Sequence, residues 1–376
     1  MKYDVSQEVN TIAAVLEKAG FSAYLVGGCV RDFLMGRAPK DWDITTNAKP
    51  AEIQKLFPDS VYENTFGTVG VKTESDDQSL KVVEITTFRL EGRYTDKRHP
   101  DEIKFAKTVE EDLSRRDFTV NAMALPLTSD VRRPTSERIA DPYGGESNLK
   151  NKIIRAVGDP NVRFGEDALS LLRAVRFSAQ LGFGIEDKTA AAVRKNAALL
   201  EFVSKERIRD EFSKLLMTER ARDGVAELYA AGLLRYIVPE LLEGVGMGQN
   251  KHHIYTIFDH NLRALEYSVK KGYSLEVRLA SLLHDVGKPR TKRGEGPDST
   301  FYNHEVVGAK MAAGILDRLR YPKDVITRVA HLVRWHMFYY NVGEVSEAGV
   351  RRFLVRIGGD YLDDILKVRE AYRIGS

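Results

Sequence analysis

Two aspartates one residue apart, Asp41 and Asp43, follow the glycine pair Gly27 and Gly28 in the run LVGGCVRDFLMGRAPKDWDIT. In an extended strand, residues i and i+2 share a face. Both carboxylates can then hold divalent metal ions against a bound triphosphate, as two-metal phosphoryl and nucleotidyl transfer requires. The glycines carry no Cβ, so their backbone can come close to phosphates. Taken alone, an Asp-x-Asp is as readily a solvated loop, and its context must decide. A second set of chemistry-bearing residues lies in the last third of the chain: His260, His284-Asp285 in LASLLHDVGKP, His304 in FYNHEVVGAK and His336 in VRWHM. The chain has 8 histidines, and this clustering exceeds what packing needs. Imidazoles and a carboxylate from neighbouring helices can build a nitrogen/oxygen metal site.

The elements that must position these groups change character along the chain. Residues 7–19 read as an amphipathic helix, Ala23–Val26 as a short apolar strand entering the glycine turn, and Val30–Leu34 as the start of another helix. Trp42–Thr45, Thr68–Lys72 and Val82–Phe88 read as strands, the last two rich in β-branched residues. The polar run between Phe88 and Glu110 reads as a loop with a short return strand. After Asp141-Pro-Tyr-Gly-Gly the apolar spacing becomes i, i+3, i+4, so that 166–231 reads as helical throughout. Helices resume from about Tyr255 to the end, broken by the turn-rich stretch 290–300.

The whole chain sets bounds on these readings. At 376 residues it can form two or three cores, since domains run to about 100–200 residues. A net charge of +3 from 57 basic and 54 acidic residues makes any polyanion site a local basic patch. The single Cys29 leaves no internal disulfide and fits a reducing compartment. No apolar run approaches the roughly 20 residues of a membrane span, and the first residues lack the order of a signal peptide. A cytoplasmic enzyme is expected. The chain stops at Tyr372-Arg-Ile-Gly-Ser, directly after a charged helical segment, so the natural protein could continue.

The runs LVGGCVRDFLMGRAPKDWDIT, RRDFTVNAMA, DPYGGESNLKNKIIRAVGDP, GEDALSLLRAVRFSAQLGF and SKERIRDEFSKLL occur here in order. Over roughly residues 20–220 they resemble the motifs of the class II tRNA nucleotidyltransferase and bacterial poly(A) polymerase family. The resemblance implies an α+β fold, in which a nucleotidyltransferase head with a mixed β-sheet precedes an all-α neck, body and HD domain. Domains are then expected at 1–150 (catalytic head), 151–250 (nucleotide and RNA binding) and 251–376 (HD-like). It also implies transfer of nucleotides from CTP and ATP to the 3′ end of tRNA. Asp41 and Asp43 would hold Mg²⁺, and Glu84 could add a third carboxylate or be an exposed strand residue. Gly27, Gly28 and Arg31 would sit by the phosphates. Arg115, Arg116, Asp117 and Asn121 would recognise nucleotide sugar and phosphates, since a guanidinium fork matches phosphate and an amide or carboxylate suits a ribose hydroxyl. Arg173 and Arg176 could reach the triphosphate or pair with acidic neighbours. The segment from Glu206 to Phe212 reads as scaffold.

Two departures stand out. The family motif Glu-Asp-x-x-Arg uses its acid and arginine, neighbours at i and i+3 on a helix, to read the incoming base. Here Asp167 is kept and the arginine position is Ser170, which cannot offer a bidentate pair. The HD resemblance in turn implies a phosphohydrolase site at His260, His284, Asp285, His304 and His336, holding Mn²⁺ or Ni²⁺. That pattern closes on an aspartate where this chain has Tyr372, which favours a structural role for the domain. A loop at 89–100 with Arg89, Tyr94 and Asp96 argues against a cytidine-only enzyme. Lys251, Arg290, Lys292, Arg293, Arg351 and Arg352 could meet RNA phosphates, or be ordinary solvated surface. A poly(A) polymerase using ATP is the nearest alternative, and an HD phosphohydrolase is the alternative of another class. No membrane partner is implied, and the sequence leaves the oligomeric state open.

Overall fold

The computed structural model describes residues 4–62, 67–91, 103–128, 138–249, 254–338 and 346–374. Tyr94, Asp96 and Lys251 lie outside them. The chain divides into two compact units, Met1–Ser170 with Phe183–Asn196, and Leu171–Gly182 with Ala197–Ser376.

The first unit is mixed. In chain order it contains α1 (Gln7–Lys18), β1 (Ala23–Val26), α2 (Gly28–Leu34), β2 (Asp43–Thr46), α3 (Pro50–Leu56), β3 (Ser60–Tyr62), β4 (Thr68–Lys72), β5 (Val82–Thr87), β6 (Arg89–Glu91), β7 (Ile103–Phe105), α4 (Val109–Ser114), β8 (Ala124–Pro126), α5 (Gly145–Lys150), β9 (Ile153–Ile154) and α6 (Pro160–Glu166). All but the first residue of α7 (Ser170–Leu181) belongs to the second unit, after which β10 (Gly184–Ile185) and α8 (Asp187–Asn196) return to the first.

The main sheet has the order β3-β4-β5-β2-β1-β8. β2 and β5 are parallel and the other pairs antiparallel. Strand β5 shows why one face stays available for chemistry. Val83, Ile85 and Thr87 are buried while Val82 and Glu84 are exposed, the period-2 alternation of a half-covered strand. The covered side packs Leu25, Ile44 and Ile85 at 0% exposure. Val26, Phe88, Ala106, Val109, Leu113 and Ala124 form a further apolar cluster in the same unit.

The sequence reading needs correcting at three places here. Asp41 precedes β2 and lies in a bend, so Asp41 and Asp43 are not strand neighbours. The stretch 166–231 is not continuous helix: α6 ends at Glu166, and β10 pairs in parallel with β9. The break follows from Asp167, which leaves helical geometry at φ −131° and accepts the Leu169 N–H on its carboxylate at 3.1 Å. Short aspartate side chains compete with helix hydrogen bonds in this way. Strands β3 and β8, too short to show a periodic signal, were not expected.

The second unit is helical: α9 (Lys205–Leu216), α10 (Ala221–Ala230), α11 (Ile257–Lys270), α12 (Leu275–Leu283), α13 (Lys288–Thr291), α14 (His304–Arg318), α15 (Lys323–Trp335), α16 (Glu347–Ile357) and α17 (Leu362–Ile374). Helices α11, α12, α15 and α17 pack against one another, and α14 packs on α15. Between α11 and α12 the Ser268 and Ser281 hydroxyls meet at 2.8 Å, both buried. Gly287 lets the segment after α12 approach α14, because a Cβ there would stand 2.3 Å from the His304 carbonyl oxygen.

Candidate functional site

Asp43 opens β2 directly opposite Glu84 on β5 in the parallel register. Asp41, two residues earlier, lines the same cleft of about 1010 Å³, together with Lys40, Trp42, Lys81 and Val82. The structure thus brings together the three carboxylates singled out in the sequence. Burial raises the Asp43 carboxyl above the ordinary carboxylate value, Arg116 opposes the rise and Asp41 adds to it. Carboxylates crowded in this way favour a divalent cation, which neutralises their mutual repulsion.

Gly27 has φ +73°, and a Cβ there would meet Arg116 Nη1 at 2.9 Å and Asp43 Oδ2 at 3.6 Å. Its bare backbone is what allows that guanidinium to stand beside the carboxylate. Arg31 is buried, donating from Nη1 to Asn121 Oδ1 at 2.8 Å and from Nε to Asp32 at 2.9 Å. Arg31 and Asn121 therefore brace each other. Asp117 accepts the Phe118 N–H at 2.9 Å. Arg115 grips Asp112 Oδ1 through Nη2 at 2.7 Å and Nε at 3.0 Å. Arg116, 3.6 Å from Asp112 Oδ2, is the member of the Arg-Arg pair beside the carboxylates.

Asp112 was missed by the sequence reading. It is fully buried, lies 3.5 Å from the Thr45 hydroxyl and accepts the Arg89 N–H at 3.3 Å. Burial alone would raise its carboxyl, but Arg115 and Arg116 outweigh it and hold the group below the ordinary value. In sequence it is the third acid of Glu110-Glu111-Asp112, which reads as the acidic first turn of an exposed helix. Only the two arginines that follow hint at more. Arg163, also missed, donates to the Ser114 and Arg115 carbonyls at 2.7 and 2.9 Å and so fastens α6 to this segment. Asp141 of the Asp-Pro-Tyr-Gly-Gly run accepts the Gly145 and Glu146 N–H groups at 2.6 and 2.9 Å. Gly145 is forced: a Cβ there would fall 2.3 Å from the Thr119 carbonyl oxygen.

Asp167 caps the turn into α7, and its carbonyl accepts the Ser170 N–H at 3.1 Å. Ser170 itself is buried. In the second unit, Arg176 is buried, pairs with Glu211 and Gln180 and lies 3.9 Å over the Phe177 ring, which Arg173 flanks at 5.2 Å. Of the basic residues proposed for RNA, Arg290 is tied to Glu243 in a bidentate pair at 2.6 and 2.9 Å, and Arg351 meets Glu347 at 3.4 Å.

The second unit also gathers the histidine set. His284 donates from Nδ1 to the Ser281 carbonyl at 2.8 Å, His304 to that of Phe301 at 2.8 Å, and His336 to that of Val333 at 2.7 Å. A carbonyl can only accept, so each ring carries its proton on Nδ1 and turns the Nε2 lone pair inward. Asp285 Oδ2 lies 3.2 Å from His284 Nε2 and 3.3 Å from His260 Nε2. Its Oδ1 lies 3.3 Å from His304 Nε2 and 3.8 Å from His336 Nε2. Two ligand sets, His260/His284/Asp285 and Asp285/His304/His336, thus share one carboxylate. Burial first, then His284 and His304, push the His336 imidazole well below its ordinary value despite Asp285. Burial would raise Asp285, but His284 and Lys288 hold it well below the carboxylate range. The buried Asp285 oxygens and the Nε2 atoms of His304 and His336 make no hydrogen bond among the described residues. Inward lone pairs around a buried carboxylate fit a divalent metal ion.

Three family models match the chain: the poly A polymerase head domain over residues 23–155, the probable RNA and SrmB-binding site of polymerase A over 182–244, and the HD domain over 257–362. The CCA-adding enzyme of Lactobacillus helveticus is 47% identical over 213 residues, 56% of this chain and 50% of that protein. That of Leuconostoc citreum is 46% identical over 223 residues, 59% and 52% of the two chains. The chain thus spans about half the length of the curated relatives it matches. A crystal structure of the Bacillus stearothermophilus CCA-adding enzyme in complex with CTP superposes with a TM-score of 0.72 at 29% identity, covering 97% of this chain and 78% of that one. The Thermotoga maritima CCA-adding enzyme complexed with tRNA shares the fold, with a TM-score of 0.61 at 19% identity over 98% of this chain and 79% of that one.

Proposed function

We propose that this chain, a member of the tRNA nucleotidyltransferase and poly(A) polymerase family by its head, RNA-binding and HD modules, adds the 3′-terminal CCA, or its terminal A, to tRNA in the cytoplasm. CTP and ATP are the donors and Mg²⁺ the cofactor. The observation that carries the reading is the strand register that sets Asp43 against Glu84, with Asp41 at the same cleft.

Bound Mg²⁺ supplies charge neutralisation along the triphosphate and lowers the barrier to attack by an RNA 3′-hydroxyl. Asp41, Asp43 and Glu84 would hold it. The chain's other residues orient and bind. Arg116 beside Gly27 offers a planar donor fork to the phosphates. Asp112 keeps Arg115 and Arg116 in place by pairing with both. Asn121 is braced by Arg31 at the position where the family reads the sugar. Ser170 stands where the family's base-reading arginine would be. Asp167 alone then contributes to base choice from that motif, and selectivity between nucleotides is expected to be relaxed.

The test uses tRNA ending before CCA or after CC, Mg²⁺, and CTP and ATP singly and together, with products read at single-nucleotide resolution. Three additions that then stop establish CCA addition, and a single A on the CC substrate establishes A-addition. A long ladder with ATP would make the protein a poly(A) polymerase. No product with any combination would overturn the reading.

A further inference from the structure

The head does not use the histidine pocket. The HD resemblance would make that pocket a hydrolytic centre, yet its geometry is that of a closed one. His260, His284, Asp285 and His336 are all at 0% exposure and His304 at 5%. The Tyr372 ring stands edge-on to three of the imidazoles, with centroids 6.0 Å from His260, 5.8 Å from His284 and 5.8 Å from His336. It is half-buried and places aromatic carbon against the rings, where a catalytic metal would keep a position for water or substrate.

The charges limit how many ions fit. Two ions sharing one carboxylate would each need an oxygen of Asp285. Oδ2 already faces the Lys288 ammonium at 2.6 Å, which Gln249 Oε1 holds from its other side at 2.6 Å. Both Lys288 and Gln249 are buried. The lysine therefore supplies one positive charge permanently, and a single ion completes the pocket. The donors also select its kind. Four imidazoles and one carboxylate suit a nitrogen-preferring transition ion, whereas Mg²⁺ and Mn²⁺ prefer oxygen donors.

We propose that this pocket is a closed structural site for one nitrogen-preferring divalent transition-metal ion of the Zn²⁺, Ni²⁺, Co²⁺ or Fe²⁺ class, clamping α11, α14 and the residues that follow α12 and α15, with Tyr372 as its aromatic cap. It does not hydrolyse phosphate esters. The proposal is independent of the transfer activity, because its readouts need neither nucleotide nor RNA.

The experiment strips the full-length chain with dipicolinate, then returns Zn²⁺, Co²⁺, Mn²⁺ or Mg²⁺ singly. Bound metal, Tm and, for Co²⁺, the visible spectrum are followed. About one equivalent of Zn²⁺ or Co²⁺ is expected, with a Tm rise of roughly 5–10 °C and Co²⁺ bands characteristic of nitrogen ligation. Mg²⁺ at millimolar concentration should restore none of this. Two tightly bound equivalents, equal rescue by Mg²⁺, no uptake at all, or turnover of bis-(p-nitrophenyl) phosphate by the reloaded chain would each overturn the proposal. His336→Ala should abolish the Co²⁺ bands. Should that variant fail to fold, the wild-type competition between Zn²⁺ and Mg²⁺ still decides. Tyr372→Asp, which adds an oxygen donor beside the rings, should raise Mn²⁺ affinity relative to Zn²⁺ at least about tenfold, while Tyr372→Phe should not. Equal behaviour of the two variants would overturn the role given to Tyr372.

Discussion

The two units each concentrate aspartate and positive charge around a point where cations belong, yet they do so in opposite ways. In the first, Asp41, Asp43 and Glu84 line an open cleft of about 1010 Å³ with Arg116 at its side. The second surrounds one fully buried carboxylate, Asp285, with four imidazoles and an ammonium. An open oxygen site can exchange its ions with each round of nucleotide binding, because hard cations keep several waters and share phosphate ligands. A closed, nitrogen-rich pocket holds on to what it binds. The contrast shows that the number of aspartates matters less than whether water can reach them.

The sharpest way to break the comparison is to remove charge from each side in turn. Asp43→Asn should lower nucleotide addition by about 10³-fold, several kcal/mol of lost transition-state stabilisation, while zinc retention by the helical unit stays unchanged. Loss of zinc in that variant would show that the two sites are not separate. Next in size is Asp112→Ala, which leaves two arginines without the buried carboxylate that aligns them. It should cost about 3 kcal/mol of stability in urea titration and also raise the KM for CTP. A stable variant with unchanged KM would remove Asp112 from the phosphate-binding framework.

A smaller effect is expected from Ser170→Arg. If the missing guanidinium is what relaxes base choice, discrimination of CTP and ATP against UTP and GTP should improve roughly tenfold. No change would move base selection to other residues. The smallest effect is the pH response of the first unit. Asp112 has its folded value below the ordinary 3.8, so its contribution is fully present above that value. It is lost as pH falls through the lowered folded value. Chemical denaturation between pH 7 and 5 should show no contribution from this group, and the acid limb should be shallower in Asp112→Asn.

Much of this was legible beforehand, for identifiable reasons. Strand β5 and the Asp43 end of β2 announced themselves through β-branched alternation, and the histidine set through its crowding in one region. What escaped was tertiary. Asp112 carries the local signature of an exposed helix start, and only burial against Thr45 and the two arginines makes it a keystone. The helix break at Asp167 escaped because the apolar period runs straight through it, while one carboxylate-to-amide bond overrides the period. The capping of the metal pocket by Tyr372 needed distances that spacing cannot supply.

The way the head's carboxylates are brought together bears on how the protein comes to be active after synthesis. Thr45 meets the Thr86 carbonyl across 41 residues of chain, and Arg31 meets Asn121 across 90. Such separations must be closed before any of these contacts stabilises the chain, and distant pairings form slowly. In the histidine pocket the nearest ring pair, His260 and His284, is 24 residues apart. The transfer site should therefore be among the last parts of the first unit to gain amide protection during refolding. A newly made chain would carry a folded helical unit before it could add a nucleotide.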